Sequence, residues 1–167
     1  MMSRTTPADE FRAQLAALLP RLRRFARVIA RNVADADDLV QVSVEKALVR
    51  AEQWRPGSKL DSWMFGIMKN AWIDDRRARG RRAEVALPDD TGEHPAVSPD
   101  DSNTNLWAVS EALNQLPEEQ RLAVALVLVE GMSYKEAAAV LEIPIGTLTS
   151  RLARGRTALA TALGDPP

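Results

Sequence analysis

The sequence predicts an all-α protein made of two small helical domains that a flexible acidic linker joins. Apolar residues recur at steps of three and four in both halves of the chain, and no segment shows the alternation typical of a strand. Between the halves, residues 84–104 contain six acidic residues and no basic one, together with three prolines. With 167 residues, of which 46% are hydrophobic, the chain is long enough for two small globular domains.

Charge is distributed unevenly along the chain, although the net charge is only −1. Residues 1–83 carry 17 Lys and Arg against 10 Asp and Glu, whereas residues 105–167 carry 5 against 7. The middle segment holds too little apolar surface to offset the entropy of ordering it, so it is expected to be a flexible linker. We therefore predict domains at residues 8–83 and 105–163, with the linker at residues 84–104.

Three helices are predicted in the first domain. The first runs from about residue 8 to 31, and Pro20 inside it predicts a kink or a break. The second begins near residues 35–38, where acidic side chains suit a helix N-terminus. A loop at residues 54–59 contains a Pro-Gly pair, and a long third helix then extends over about 61–82.

The second domain is predicted to end in a helix-turn-helix. Leu106, Val109, Leu113 and Leu116 form an apolar stripe, and Pro117 opens a helix that Gly131 closes. Residues 133–136 form a capping box that starts a short helix ending near residue 141. Residues 142–146 make the turn, and the last helix begins at about Thr147.

The last helix has a face suited to the DNA major groove. Leu148, Leu152, Gly155 and Leu159 share one side, which leaves Ser150, Arg151 and Arg154 on the other. Arginine forks recognise guanine edges, so this face predicts base readout, with Arg156 placed for a phosphate. The alternative is a solvated basic face on a surface helix.

A second basic region closes the third helix, where five arginines lie between residues 76 and 82. Trp54, beside Arg55, Ser58 and Lys59, resembles a platform for an unstacked base, followed by a polar helix face with Asn70 and Asp74. The alternative is that Trp54 fills the helical bundle and the arginines are a solvated helix end.

The second helix carries an acidic face with Asp37, Asp38, Gln41 and Glu45. No further ligand from another segment joins these carboxylates, so they predict a protein-docking surface or a plain solvated face, and no metal site. There is no cysteine, and His94 stands alone in the linker. No apolar run approaches the length of a membrane span and no signal peptide is present, so we expect a cytoplasmic protein.

Three segments in order resemble the extracytoplasmic-function (ECF) group of bacterial sigma factors, in the sigma-70 family. They are residues 35–41 (DADDLVQ), residues 60–70 (LDSWMFGIMKN) continuing to 74–77 (DDRR), and three stretches of the second domain: 116–121 (LPEEQR), 130–138 (EGMSYKEAA) and 143–156 (IPIGTLTSRLARGR).

The resemblance implies a non-enzymatic protein that binds core RNA polymerase and promoter DNA, with an anti-sigma protein as a further partner, and without catalytic residues, cofactor or small-molecule substrate. It also assigns roles by position. Core polymerase would be bound by Asp38, Leu39, Gln41 and Glu45; the −10 element by Trp54, Arg55, Ser58, Lys59, Asn70, Asp74, Arg76 and Arg77; and the −35 element by Lys135, Thr147, Ser150, Arg151, Arg154 and Arg156.

Three other functions stay open at this point. A sigma mimic that sequesters a regulator would be expected to lose the arginine face of the last helix, which this chain retains. A stand-alone helix-turn-helix repressor would use residues 1–104 for dimerisation or sensing. An enzyme would have only Asp37, Asp38 and Glu45 to work with, and no nucleophile or phosphate-binding loop accompanies them.

Overall fold

The computed structural model describes residues 5–85 and 104–164, and over these ranges it contains helices and no strand, which confirms the all-α prediction. The first module holds α1 (Pro7–Ile29), α2 (Val33–Val49), a short 3₁₀ turn (Ala51–Gln53) and α3 (Leu60–Val85). The second holds α4 (Thr104–Gln115), α5 (Glu118–Val124) with a π-helical turn at its end (Ala125–Val129), α6 (Tyr134–Leu141) and α7 (Ile145–Ala162). His94 and most of the predicted linker lie outside the described residues.

Helix α1 continues through Pro20, so the break that was one predicted outcome does not occur. Pro20 and Ala16, whose carbonyl loses its helical partner, are both exposed, and water can therefore satisfy that carbonyl. Leu15 and Leu22, on either side of Pro20, are buried and anchor both parts of the helix in the core. The helix starts at a capping box between Thr6 and Asp9.

The second and third helices begin slightly earlier than the sequence predicted. Asn32 caps α2 by accepting a hydrogen bond from the Asp35 amide at 2.8 Å, so the acidic residues lie within the helix. Leu48 of α2 is 47% exposed, whereas Ala47 beside it is fully buried. Gly57 turns the loop before α3 with a φ of +90°, a conformation that favours glycine.

The helix-turn-helix forms as predicted, with Ser133 and Glu136 in a reciprocal capping box at the start of α6. Glu142 makes the turn in the left-handed conformation, at a φ of 56°. Helix α7 begins at Ile145, two residues before the predicted start, and Gly155 lies buried where α7 crosses α5.

The π-helical turn at the end of α5 is a feature that the sequence pattern does not reveal. The Glu130 amide donates to the carbonyl of Ala125 at 3.0 Å, five residues back instead of the usual four. The chain then leaves the helix at Gly131, whose φ is +69°. This wider turn sets the position from which the Glu130 side chain reaches Arg24 of the first module.

The two modules pack against each other and share one hydrophobic core. Helix α3 packs on α6, while α1 packs on α4, α5 and the π-helical turn. The predicted apolar stripe of α4 is only partly used in this packing, since Leu106 is 67% exposed and Val109 is 41% exposed.

Candidate functional site

Trp54 is buried in the first module, so its indole ring offers no stacking surface in this structure. Its ring centroid lies 5.6 Å from that of Phe11, and only 6% of the residue is exposed. In this structure Trp54 therefore fills the bundle, as the alternative interpretation expects, and its predicted role toward the −10 element stays a prediction. The Trp54 Nε1 has no hydrogen-bond partner among the described residues.

The rest of the predicted −10 set lies on the surface of the loop and of α3. Ser58 is held within the loop, where its hydroxyl donates to the Arg55 carbonyl at 2.6 Å. Lys59 and Arg76 are both ion-paired with glutamates of the second module, Glu136 and Glu118. The exposed members are Arg55, Ser58, Lys59, Asn70, Asp74, Arg76 and Arg77.

The predicted −35 set lies on α6 and α7. Arg151 is half-buried and its Nη2 is 3.6 Å from an oxygen of Glu119, whereas Arg154 is exposed and makes no ion pair within the described ranges. The hydroxyl of Ser150 donates back to the Gly146 carbonyl at 3.1 Å, which leaves its oxygen able to accept. Lys135 and Arg156 are exposed, and Thr147 is half-buried.

Both predicted DNA-binding sets contribute to a single groove between the modules. The groove has a volume of about 380 Å³ and is lined by Arg76 and Arg77 of α3 and by Arg151 of α7. Glu118 and Glu119, at the start of α5, line the same groove. The packing of the two modules therefore places carboxylates beside arginines that the sequence predicts to bind nucleic acid.

The acidic face of α2 is exposed at Asp38, Gln41 and Glu45, but Leu39 is not part of it. Leu39 is only 6% exposed because it packs into the core, although it also lines the groove beside this face, and its predicted contact with core polymerase stays a prediction. Val42, which is 41% exposed, is the apolar residue that α2 does present beside these polar groups.

A groove of about 370 Å³ separates this acidic face from α3, and Asp35 and Arg79 tie its two walls together. Arg79 donates to both oxygens of Asp35, at 2.8 and 2.9 Å. These hydrogen bonds hold the pKa of the Asp35 carboxyl below its usual value, although partial burial acts in the opposite direction. The pair was not predicted, since the residues are 44 positions apart.

Several residues that join the modules were also missed by the sequence reasoning. Glu130 accepts from Arg24 at 2.8 and 2.9 Å and from Arg21 at 3.2 Å. Lys69 is buried and pairs with Glu142 at 3.2 Å, and the Trp72 Nε1 donates to Glu118 at 2.7 Å. The opposite charge balance of the two halves was the one signal of such pairing in the sequence.

A helical module with an acidic face and a basic helix end, packed on a helix-turn-helix module, defines a class of two-domain DNA-binding protein. Two family descriptions match the chain: "Sigma-70, region 4" over residues 106–159 and "Sigma2 domain of PhyR" over residues 15–69. The ECF RNA polymerase sigma factor EcfG of Rhodopseudomonas palustris (strain TIE-1) is 35% identical over 155 residues, covering 93% of this chain and 86% of that protein.

Solved structures agree with these matches. The sigma factor RpoE in complex with the anti-sigma factor NepR from Bartonella quintana superposes with a TM-score of 0.78 at 34% identity, covering 92% of this chain and 96% of that one. CnrH in complex with the cytosolic domain of CnrY shares the fold, with a TM-score of 0.69 at 24% identity over 94% and 89% of the two chains. The chain belongs to the ECF group of RNA polymerase sigma factors.

The described ranges contain neither a membrane-spanning helix nor a metal-binding cluster. No helix there is long and apolar enough to cross a membrane. Nor does any group of three or more His, Asp or Glu residues within those ranges lie close enough together to hold a metal ion.

Proposed function

We propose that this sigma factor directs core RNA polymerase to promoters by reading both a −10 and a −35 element, with residues 8–83 and 105–163 as the respective domains. The observation that carries the proposal is the helix-turn-helix, whose second helix presents Arg154 to solvent within a chain of the ECF group. An arginine at this place in a recognition helix is suited to a guanine edge.

Each promoter element is assigned a surface of the structure. The −10 element is bound by the exposed loop and α3 residues, and Trp54 supports that loop from inside the bundle. The −35 element is read by Ser150, Arg151 and Arg154, with Thr147 beside them and with Lys135 and Arg156 on phosphates. Core polymerase contacts α2 at its exposed acidic residues Asp38, Gln41 and Glu45, together with Leu39 at the edge of the neighbouring groove.

The length of the chain between the domains limits how far apart two promoter elements can lie and still be bound together. Elements about 16 base pairs apart are separated by about 55 Å along the duplex. The 18 residues at 86–103, between the end of α3 and the start of α4, would have a root-mean-square reach of about 23 Å as a random coil and a limit of about 60 Å when extended. The linker must therefore stretch when both elements are bound.

We further propose that an anti-sigma protein holds this factor inactive and that a stress signal releases it. The similarity to a sigma factor solved with an anti-sigma protein supports this partner. A factor of this kind works on the chromosome, in the cytoplasm, and leaves the chemistry of RNA synthesis to the polymerase.

Run-off transcription tests the proposal. The purified chain is added to core polymerase on genomic fragments, and start sites are mapped. Shared sequences upstream of those starts at two fixed positions are expected. Failure to bind core polymerase would favour a sigma mimic, and tight sequence-specific binding to duplex DNA without polymerase would favour a stand-alone repressor.

A further inference from the structure

The arginines at the end of α3 do not share one environment. Arg76 is ion-paired with Glu118 of the second module, and Arg79 is ion-paired with Asp35 of α2. The exposed members that form no ion pair within residues 5–85 and 104–164 are Arg77, Arg81 and Arg82. The basic cluster is therefore not uniform, and its members can have different functions.

Arg79 is held by two carboxylates. Its Nη1 and Nη2 donate to the two oxygens of Asp35 at 2.9 and 2.8 Å, and its Nε lies 3.0 Å from an oxygen of Asp75, one turn earlier on α3. These contacts raise the pKa of Arg79, chiefly through the hydrogen bonds to Asp35. A guanidinium whose nitrogens all point at carboxylates has few donors left for a phosphate.

Asp35 is itself fixed at the start of α2. Its amide donates to the capping side chain of Asn32 at 2.8 Å, and its Oδ2 accepts from the Asn32 Nδ2 at 2.9 Å. The negative charge of Asp35 also suits the N-terminus of a helix. Arg79 therefore binds a carboxylate that the first turn of α2 holds in place.

The second half of α3 has few other links to the first module. The buried residues of α3 end at Trp72, and between residues 74 and 84 only Ala78 is half-buried while the others are exposed. Within the described ranges, the ion pair of Arg79 with Asp35 is the one that joins this half to α2. Arg81 lies about 14 Å beyond Trp72, since each helical residue rises about 1.5 Å. A small change in the direction of α3 would therefore displace its end by several ångström.

The side of α3 proposed to bind DNA faces away from Arg79. Exposed residues at steps of four, three and four share this side. They are Asn70, Asp74, Arg77 and Arg81. Arg79 is rotated by about 200° from Arg77 about the helix axis. The arginine that binds α2 is thus distinct from those that a DNA strand can reach on the other side.

We propose that Arg79 is a positioning residue and not a DNA ligand. By holding Asp35, it fixes the direction of the end of α3 relative to α2. It thereby presents Arg77 and the residues on the same side to the −10 element at a fixed distance from the polymerase-binding face. The proposal rests on the proposed function and adds a residue to it.

The first test measures how fast preformed holoenzyme opens a promoter, with permanganate reactivity of the −10 element as the readout. Saturating holoenzyme is used, so a change in affinity for core polymerase does not enter the rate. Arg79→Gln and Asp35→Asn are each expected to slow opening at least tenfold. The double variant should be no slower than either single variant, since both changes remove the same contact. Arg79→Lys, which keeps the charge but not the two parallel hydrogen bonds, should be intermediate.

The second test uses salt to distinguish positioning from binding. Each phosphate contact that is lost lowers the slope of log affinity against log salt concentration by about 1. Arg79→Gln should keep the wild-type slope, whereas Arg77→Gln should reduce it by that amount. Arg50→Gln is the matched control, because Arg50 is exposed at the end of α2 and forms no ion pair in the described part of the chain. It should change neither the slope nor the opening rate.

Three results would overturn the positioning role. They are opening by Arg79→Gln at the wild-type rate, a salt slope of Arg79→Gln as low as that of Arg77→Gln, and a double variant much slower than both single variants. The Arg79 side chain is 51% exposed, so its substitution should leave a folded protein, which circular dichroism checks at the assay temperature. Failure of the wild type to open any promoter would instead refute the proposed function.

Discussion

Gly155 of α7 lies so close to Val124 of α5 that a Cβ atom on the glycine would stand 2.8 Å from the valine Cγ2. Val124 is 2% exposed, so it has little room to move aside. This close approach lets α5 support the recognition helix directly. The orientation of the arginines on α7 therefore depends on a residue that carries no side chain.

Gly155→Ala is expected to lower the stability of the protein. Alanine gains about 0.5–1 kcal/mol over glycine within a helix. Overpacking of a core contact costs about 1–3 kcal/mol, which exceeds that gain. Gly80→Ala is the control, because a Cβ there meets no atom within 4 Å. Urea unfolding should place Gly80→Ala above the wild type and Gly155→Ala below it, and the reverse order would disprove the close contact.

Arg154→Ala is expected to relax promoter choice at one base pair of the −35 element, by about 1–3 kcal/mol, because a lost arginine fork no longer distinguishes the bases. Arg156→Ala, which removes a proposed phosphate contact, should weaken binding equally on all sequences. Transcription from a set of single-base −35 variants measures both. Unchanged base preference in Arg154→Ala would remove this residue from base readout.

Trp54→Ala is expected to destabilise the first module by about 3–5 kcal/mol, since it opens a large cavity beside Phe11. Trp54→Phe should cost far less, because it keeps most of the ring and removes an indole N–H that has no partner among the described residues. Thermal unfolding measures these effects. Arg55→Ala, at an exposed neighbour, should leave the melting temperature unchanged.

The Asp35–Arg79 pair is expected to make stability depend on pH in the acidic range. The pKa of Asp35 is lowered in the folded protein, chiefly by the hydrogen bonds from Arg79. The pair therefore contributes fully above the unfolded pKa of Asp35, and its contribution is lost as pH falls through the lower folded value. Melting curves between pH 7 and pH 3 should show a smaller acid-induced decrease for Asp35→Asn than for the wild type. Asp37→Asn, at an exposed position, should follow the wild type.

Arg121→Met is expected to raise the stability of the protein. Burying a charge is costly unless hydrogen bonds replace its hydration, and Nε and Nη1 of Arg121 have no partner within the described residues. Methionine has a flexible apolar side chain that can fill the same space. Thermal unfolding should show a higher melting temperature than that of the wild type, and a lower one would mean that the favourable charge of Glu118 outweighs the cost of burial.

Local features of this fold could be predicted from the sequence because their causes are local. The capping box of Ser133 and Glu136 needs only residues three apart, and the all-α class needs only the period of the apolar residues. The recognition-helix face was likewise visible, since Leu148, Leu152 and Gly155 mark its buried side.

Contacts across the chain could not be predicted in this way. The sequence left open whether Trp54 fills the bundle, because its partner, Phe11, is 43 residues earlier and no spacing rule connects them. Glu130 lies 109 residues from Arg21, so its charge could be predicted from the sequence but its burial could not. Which arginines meet a glutamate is decided by the packing of the modules.

The π-helical turn of Ala125–Val129 makes the ion pairs of Glu130 sensitive to the length of one short segment. Each residue of a helix rotates the next by about 100°. Removing one residue from this turn would restore ordinary helical bonding and rotate Glu130 well away from Arg24. A single-codon deletion there would thus break this contact between the modules while keeping every residue of the proposed DNA-binding surfaces.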